Sequence, residues 1–526
     1  MNETEIATGS DNLVNSDSIF RIMSVSKNIA MTSVLVMSCL PAQSSCPGMT
    51  LHTPVRLLLP DFTLPEADWN DGGSEITLGM LASHTAGIPR ESYSTGFNMV
   101  LSTGKADAIT IGAAWASATA EDVIEAIARG KLMFAPGQRA AYSNAGISIL
   151  GSAVAAWYTN VTGEKISWSR LATQEVLDPL NMTHSFFGIV PQDLEPFIGI
   201  PGGENWADLI VGEGYNPAAG MWSSANDLSN YLHKLWLSPT PDLITPYRRR
   251  RSLKPVATLP DGKQQVGPGW EIQLLTLNTT TNTSVDSSKT YSIFGKSGDG
   301  GGWHSWIDVI PNLGYGIVVL SQESGLEDYE GLSPTAIRDT VHEILAPAFA
   351  EVLASRMQER FAGTYTMGQD TGLLTDQVKT TDTTNATTYA VLEVEDQILY
   401  LRSLVVNGTS ALEAVDRLSW TSDTGPRYFS TDQGVVLEPA EGAAENAEFG
   451  DGAQVWRLIS PGLQTCDWFD FDGYKDTRGW PLSKVVLIEH KDSVQLRYPP
   501  FDVVVSRSDT PAPPSKKEAS GEEYVL

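Results

Sequence analysis

Ser24 stands three residues before Lys27 in the run Phe20-Arg21-Ile22-Met23-Ser24-Val25-Ser26-Lys27, which continues as mostly apolar sequence to Met37. A serine hydroxyl is a poor nucleophile at its free pKa and needs a base within hydrogen-bond reach. Residues i and i+3 share a helix face, so Lys27 can sit beside the Ser24 oxygen. The N-terminal end of such a helix adds partial positive charge where an oxyanion would form. A second Ser-x-x-Lys, Ser102 to Lys105, lies in a polar, glycine-containing stretch with no apolar helix behind it, so helical geometry is not expected there.

Two later segments could complete such a site. Tyr142-Ser143-Asn144 falls in a loop ahead of an apolar helix expected from Ile147 to Tyr158. A tyrosine becomes a usable base only where cations favour its phenolate, and two lysines around it would do that. Lys296-Ser297-Gly298 ends a strand expected from Tyr291. The neighbouring Gly295-Lys296-Ser297 is not a phosphate loop, because position 290 holds Thr where that loop needs Gly. His84, in Leu81-Ala82-Ser83-His84-Thr85-Ala86-Gly87, is expected to serve packing or a turn rather than to act as a base, and His304 to stand at a rim.

These three motifs, in this order, resemble the serine β-lactamase and penicillin-binding protein superfamily. The middle motif is Tyr-Ser-Asn rather than Ser-Asp-Asn, which is similar to the class C branch and its esterase and D-aminopeptidase relatives. Leu81 to Gly87, Pro136-Gly137 and Gly220-Met221-Trp222-Ser223-Ser224 look like that branch too. The resemblance implies an α/β (α+β) catalytic domain with a central antiparallel sheet flanked by helices. It also implies Ser24 as the acylated nucleophile, with Lys27 and Tyr142 sharing its proton as a coupled set. Lys296 would hold the Tyr142 pKa down and attract a polar or carboxylate group of the substrate. Asn144 would orient Lys27 and the acyl amide, and Ser297 and Gly298 would line the substrate. The oxyanion hole would be the backbone N–H groups of Ser24 and Asp299. Two features depart from the pattern. Only 23 residues precede Ser24, where the family has a helix and strands, so either the start is truncated or the sheet edge is built differently; and Asp299 to His304 is unusually glycine-rich.

The wider composition bounds the chemistry. At 526 residues there is room for two or three domains. A net charge of -28 argues against nucleic acid and anionic membrane surfaces as partners. No stretch approaches the apolar length of a membrane span. No Cys-x-x-Cys or His-x-His spacing occurs, so neither a metal nor another cofactor is expected. The acidic start, Met1-Asn2-Glu3, is unlike a signal peptide, yet Asn2, Asn160, Asn181, Asn278, Asn282, Asn385 and Asn407 all open Asn-x-Ser/Thr sequons, and the two observations point to different compartments. Cys39 and Cys46 could form a local disulfide across a turn, leaving Cys466 unpaired, or all three could be buried thiols.

Residues 1–19 are polar, and the catalytic domain is expected over 20–350. Within it, 90–120 reads as a surface excursion or lid, and a helix from Thr335 to Phe361 should bury Ile337, Val341, Ile344 and Leu345. Short strand-like runs over 351–508 predict a separate all-β barrel or sandwich. Phe361-Ala362-Gly363-Thr364-Tyr365 resembles the opening of β-domains behind some of these hydrolases. The tail 509–526 reads as disordered. The expected function is a serine hydrolase acting on an ester, lactone or amide of a small molecule. The alternatives are an acyltransferase of specialised metabolism using the same acyl-enzyme, and a catalytically silent binding protein. Nothing in the sequence sets the oligomeric state.

Overall fold

The helix that follows Ser24, α1 (Ser26–Met37), is buried along its whole length, polar residues included. A helix apolar on every side belongs in a core, and Lys27 is carried inside with it. The computed structural model describes residues 14–38, 48–60, 62–63, 75–92, 108–201, 210–278, 288–323, 333–367, 388–416, 434–440, 442–459, 474–491 and 493–508. Cys39, Cys46, Cys466, the Ser102 to Lys105 pair and the tail 509–526 lie outside the described residues. Two compact units divide the chain: Met1–Asn278 with Ser288–Leu345, and Thr279–Ser287 with Ala346–Leu526.

In the first unit α1 packs against α2 (Asn144–Thr162), which begins earlier than its apolar run suggests because Ser143 caps it, accepting the Gly146 N–H at 2.8 Å. It ends at Gly163, whose φ of 77° is the left-handed closure that glycine allows. Antiparallel neighbours in sequence order form a six-stranded sheet: β4 (Ala257–Thr258), β5 (Gln264–Gly267), β6 (Trp270–Asn278), β7 (Ser288–Gly300), β8 (Trp303–Ile310) and β9 (Tyr315–Gln322). A smaller sheet pairs β1 (Ile19–Arg21) with β3 (Met221–Ser224), which in turn pairs with β2 (Phe186–Phe187). It fixes the chain as it enters Ser24, and Arg21 lies over the Trp222 ring at 4.1 Å. The 90–120 stretch is not irregular throughout, since Ala108–Ser117 is helical and Trp115 stacks on Tyr215 at 5.0 Å; residues 93–107 are outside the described set.

The long helix α4 (Pro334–Phe361) corrects one expectation. Ile344 is 64% exposed, whereas Arg338, His342, Ala346 and Ala350 are buried. The inward face is therefore an i, i+4 row opening with two polar residues, because Asp308 on β8 is buried and draws them in. Its carboxylate accepts from Arg338 Nε at 2.5 Å and stands 2.9 Å from His342 Nε2. The remaining helix used below is α3 (Pro246–Ser252), capped by Thr245. None of the described helices is long and apolar enough to cross a membrane.

The second unit is built around one sheet, with the end of α4 and the short helices Ala411–Asp416 and Ala443–Ala447 beside it. Its strands are β10 (Gly363–Thr366), β11 (Tyr389–Glu395), β12 (Ile398–Val406), β13 (Thr409–Ser410), β14 (Val435–Pro439), β15 (Ala453–Ile459), β16 (Lys484–His490), β17 (Ser493–Tyr498) and β18 (Val503–Ser508). The sheet runs β11-β10-β18-β17-β16-β15-β14-β12-β13, and β11 also pairs with β12. That pairing closes eight strands into a barrel, with β13 an addition to β12. Closure removes the unpaired edges an open sheet must protect. Alternating residues such as Leu392, Leu401, Leu437, Leu487 and Leu496 fill the core.

Candidate active site

Ser24 is presented by a strained turn. Ile22 donates its N–H to the Met221 carbonyl at 3.1 Å, tying the turn to β3. Met23 then takes a φ of 45°, left-handed for a residue with a side chain, and a single 3-10 turn over Met23–Val25 precedes α1. The serine thus lies just ahead of the α-helix rather than in its first turn, where sequence spacing had put it. The three-residue offset to Lys27 still works across the junction. Lys27 Nζ donates to Ser24 Oγ at 2.8 Å and to the Ala218 carbonyl at 2.6 Å. Lys27 is fully buried, and desolvation pulls its pKa below the ordinary lysine value.

Tyr142 lies between the two lysines. Its ring centroid is 4.9 Å from Lys27 Nζ and 5.2 Å from Lys296 Nζ, and its phenol is within hydrogen-bonding range of Ser24 and Lys27. Burial pushes the phenol pKa up, but the charges of Lys27 and Lys296 outweigh burial and hold it below the ordinary value. Lys296 is buried too. Desolvation alone would lower its pKa, yet Glu271 and Tyr142 keep it raised, so it remains a cation.

His84 brackets this tyrosine. Its carbonyl accepts the Ala141 N–H at 2.9 Å and its Nδ1 accepts the Ser143 N–H at 3.2 Å, so the residues on either side of Tyr142 are both held. Its ring lies 4.5 Å from the Tyr142 ring. The backbone there has a φ of 60°. Burial first, then Lys27 and Lys296, drive its pKa well below the ordinary histidine value, so the imidazole is neutral. It positions Tyr142. Replacing His84→Asn keeps a residue tolerant of that backbone but removes the ring, and should slow covalent labelling of Ser24 by roughly tenfold with an unchanged melting temperature. A pH profile that moves with the rate would separate positioning of Tyr142 from a general packing defect.

Asn144 opens α2 and its Nδ2 donates to Glu91 Oε1 at 2.6 Å; its Oδ1 has no hydrogen-bond partner among the described residues. Ser297 is occupied as well, since both its N–H and its hydroxyl donate to Glu271 Oε2, at 3.0 and 2.9 Å. Glu271 and Glu91 are the site residues that sequence reasoning did not single out. Glu271 enters because β6 pairs with β7 so that Glu271 faces Gly295, one residue from Lys296. An acidic residue opening an apolar strand is the only local signal for it.

Gly298 is required by close approach. A Cβ there would stand 2.2 Å from the Ile22 carbonyl oxygen, 2.4 Å from Ser305 Oγ and 3.0 Å from the Ser24 nitrogen. Ser305 donates to that same Ile22 carbonyl at 2.7 Å, clamping β8 to the nucleophile turn. Gly298→Ala should therefore destabilise the first unit by about 1–3 kcal/mol and slow labelling about 100-fold, read by melting and intact-mass kinetics on one sample. Asp299 follows on β7 opposite His304, and its exposed carboxylate lies 2.8 Å from His304 Nδ1, which puts both side chains at the rim.

The arrangement can deprotonate a hydroxyl and stabilise the resulting negative charge. A beta-lactamase family profile matches residues 5–342. The chain is 25% identical over 491 residues to a beta-lactamase-like protein of Arthroderma benhamiae, covering 84% of this chain and 74% of that one. It is 23% identical to beta-lactamase-like protein 2 of Dictyostelium discoideum over 53% of this chain, and spans only 44% of that protein's length. The D-alanyl-D-alanine-carboxypeptidase/endopeptidase AmpH of Escherichia coli K12 is 24% identical over 62% of this chain and 77% of its own. Ser24, Lys27, Tyr142 and Lys296 converge inside the matched span, and the chain belongs to the beta-lactamase family.

Proposed function

We propose that this chain is a serine hydrolase that forms an acyl-enzyme on Ser24 with a small ester, lactone or amide. The observation that carries the reading is the contact of buried Lys27 Nζ with Ser24 Oγ at 2.8 Å, beside a tyrosine flanked by two lysines. The Ser24 proton passes to the coupled Lys27–Tyr142 pair as Oγ bonds to the substrate carbonyl carbon. The carbonyl oxygen, now negative, is held by the N–H groups of Ser24 and Asp299. Collapse breaks the bond to the leaving group, which takes the proton. Water then adds to the acyl-enzyme through the same base and releases the acid.

Lys296 is paired with Glu271 at 2.5 Å, and this neutralises much of its attraction for a substrate carboxylate. The pairing favours an uncharged acyl donor over a peptide ending in a free carboxylate. The test is intact-mass labelling with a fluorophosphonate, alongside a panel of p-nitrophenyl esters. One adduct, absent in Ser24→Ala together with ester turnover, is the expected result. A folded protein that takes no adduct, or a Ser24→Ala variant that still does, would sink the reading.

A further inference from the structure

Outside this site the first unit has a cleft of about 440 Å³, within the size range of small-molecule sites. Its floor is apolar: Leu35 from α1, Leu51, Met80 and Pro268. The lining is also basic, with Arg248 and Arg251 one turn apart on α3 and Lys254 just beyond the helix end. We propose that this cleft binds an amphipathic carboxylate, its chain on the apolar floor and its head group between Arg251 and Lys254.

Several hydroxyls of the lining already bond to the backbone. Ser83 Oγ donates to the Gly79 carbonyl at 2.8 Å and lies 3.0 Å from Thr85 Oγ1, while Ser38 Oγ donates to the Val34 carbonyl at 2.5 Å. Thr77 Oγ1 accepts the Met80 N–H, and Thr50 Oγ1 accepts that of His52. These hydroxyls serve their own backbone. Among the described residues Arg251 contacts His52, and neither Arg251 nor Lys254 takes part in an ion pair. A bland account would assign the basic residues to the negative end of the α3 dipole. It does not cover Arg248, which sits in the first turn after the Thr245 cap, or Lys254, which lies past the helix. In a chain with 63 acidic and 35 basic residues, Arg251 and Lys254 beside an apolar cleft lining are matched to an organic anion.

The experiment is calorimetric titration of the full chain with decanoate below its micelle-forming concentration. Parallel arms use decyltrimethylammonium, butyrate and inorganic phosphate. The variants are Arg251→Glu/Lys254→Glu, at exposed positions, and Val256→Trp, which fills the cleft mouth; melting curves check both folds. Saturable one-to-one binding of decanoate is expected. It should weaken at least tenfold in each variant, with no binding of the cationic analogue and far weaker binding of butyrate and phosphate. Absent binding to the intact chain, or affinity unchanged in the charge-reversed variant, overturns the site. Phosphate or butyrate binding as tightly as decanoate overturns the amphipathic assignment.

Discussion

Tyr142→Phe lowers the rate at which Ser24 is acylated by about 10²–10⁴-fold, the range a positioned general base supplies, and leaves the melting temperature near that of the parent. The ring stays against His84 and only the phenolic oxygen is lost. The effect has a pH signature with a defined sign. Because Lys27 and Lys296 hold the Tyr142 phenol below its ordinary pKa against the opposing push of burial, the basic form is available at lower pH than a free tyrosine would allow. Acylation should rise with pH through that depressed pKa and then level. Removing the Lys296 charge in Lys296→Met/Glu271→Gln, with both partners neutralised so that no lone charge stays buried, should shift the rising limb to higher pH. Rates of adduct formation by intact mass across a pH series check this. A phenylalanine variant that labels at the parental rate would remove Tyr142 from the base assignment and leave Lys27 alone.

The largest stability effect is expected at Asp308, far in sequence from the nucleophile. Asp308→Ala should destabilise the first unit by about 3–5 kcal/mol, the cost of removing one partner of a buried ion pair. Arg338 would keep its bond to Gln273 at 2.7 Å and its position over the Trp306 ring, but its guanidinium would be buried without its main counter-charge. The same carboxylate fills the space a side chain at Gly295 would need, 2.1 Å from a Cβ there. Asp308 therefore backs β7 one residue before Lys296, and its loss should also slow Ser24 labelling of the fraction still folded. Urea unfolding followed by tryptophan fluorescence, with labelling measured below the transition, reads both. A loss of under about 1 kcal/mol would mean the network behaves like an exposed ion pair.

The parts of the candidate site that were legible are those written as short spacings. Ser24 and Lys27 are three apart, Tyr142 and Asn144 flank a helix cap, and Lys296 follows an apolar run within its strand; each depends on local geometry alone. Glu271 was not legible, because its nearness to Lys296 exists only through the β6–β7 register. Glu91 reaches Asn144 from a loop. Ile344 misled because helical spacing marks an apolar face without saying which face turns inward, and here the inward one carries Arg338 and His342 onto Asp308. The choice between barrel and sandwich turned on how the sheet closes: β11 meets β12 across a two-residue turn, but β10 meets β18 with Tyr365 opposite Arg507, and that long-range pairing leaves no mark on either strand's alternation.

The complete burial of α1 ties the chemistry to the slowest-opening part of its unit. Amides from Ile29 to Met37 have no path to solvent short of the unit coming apart, so they should be among the last to exchange for deuterium. Fluorophosphonate reactivity would then vanish at the temperature where those amides open, with no earlier stage in which the fold persists and the nucleophile has drifted from its base.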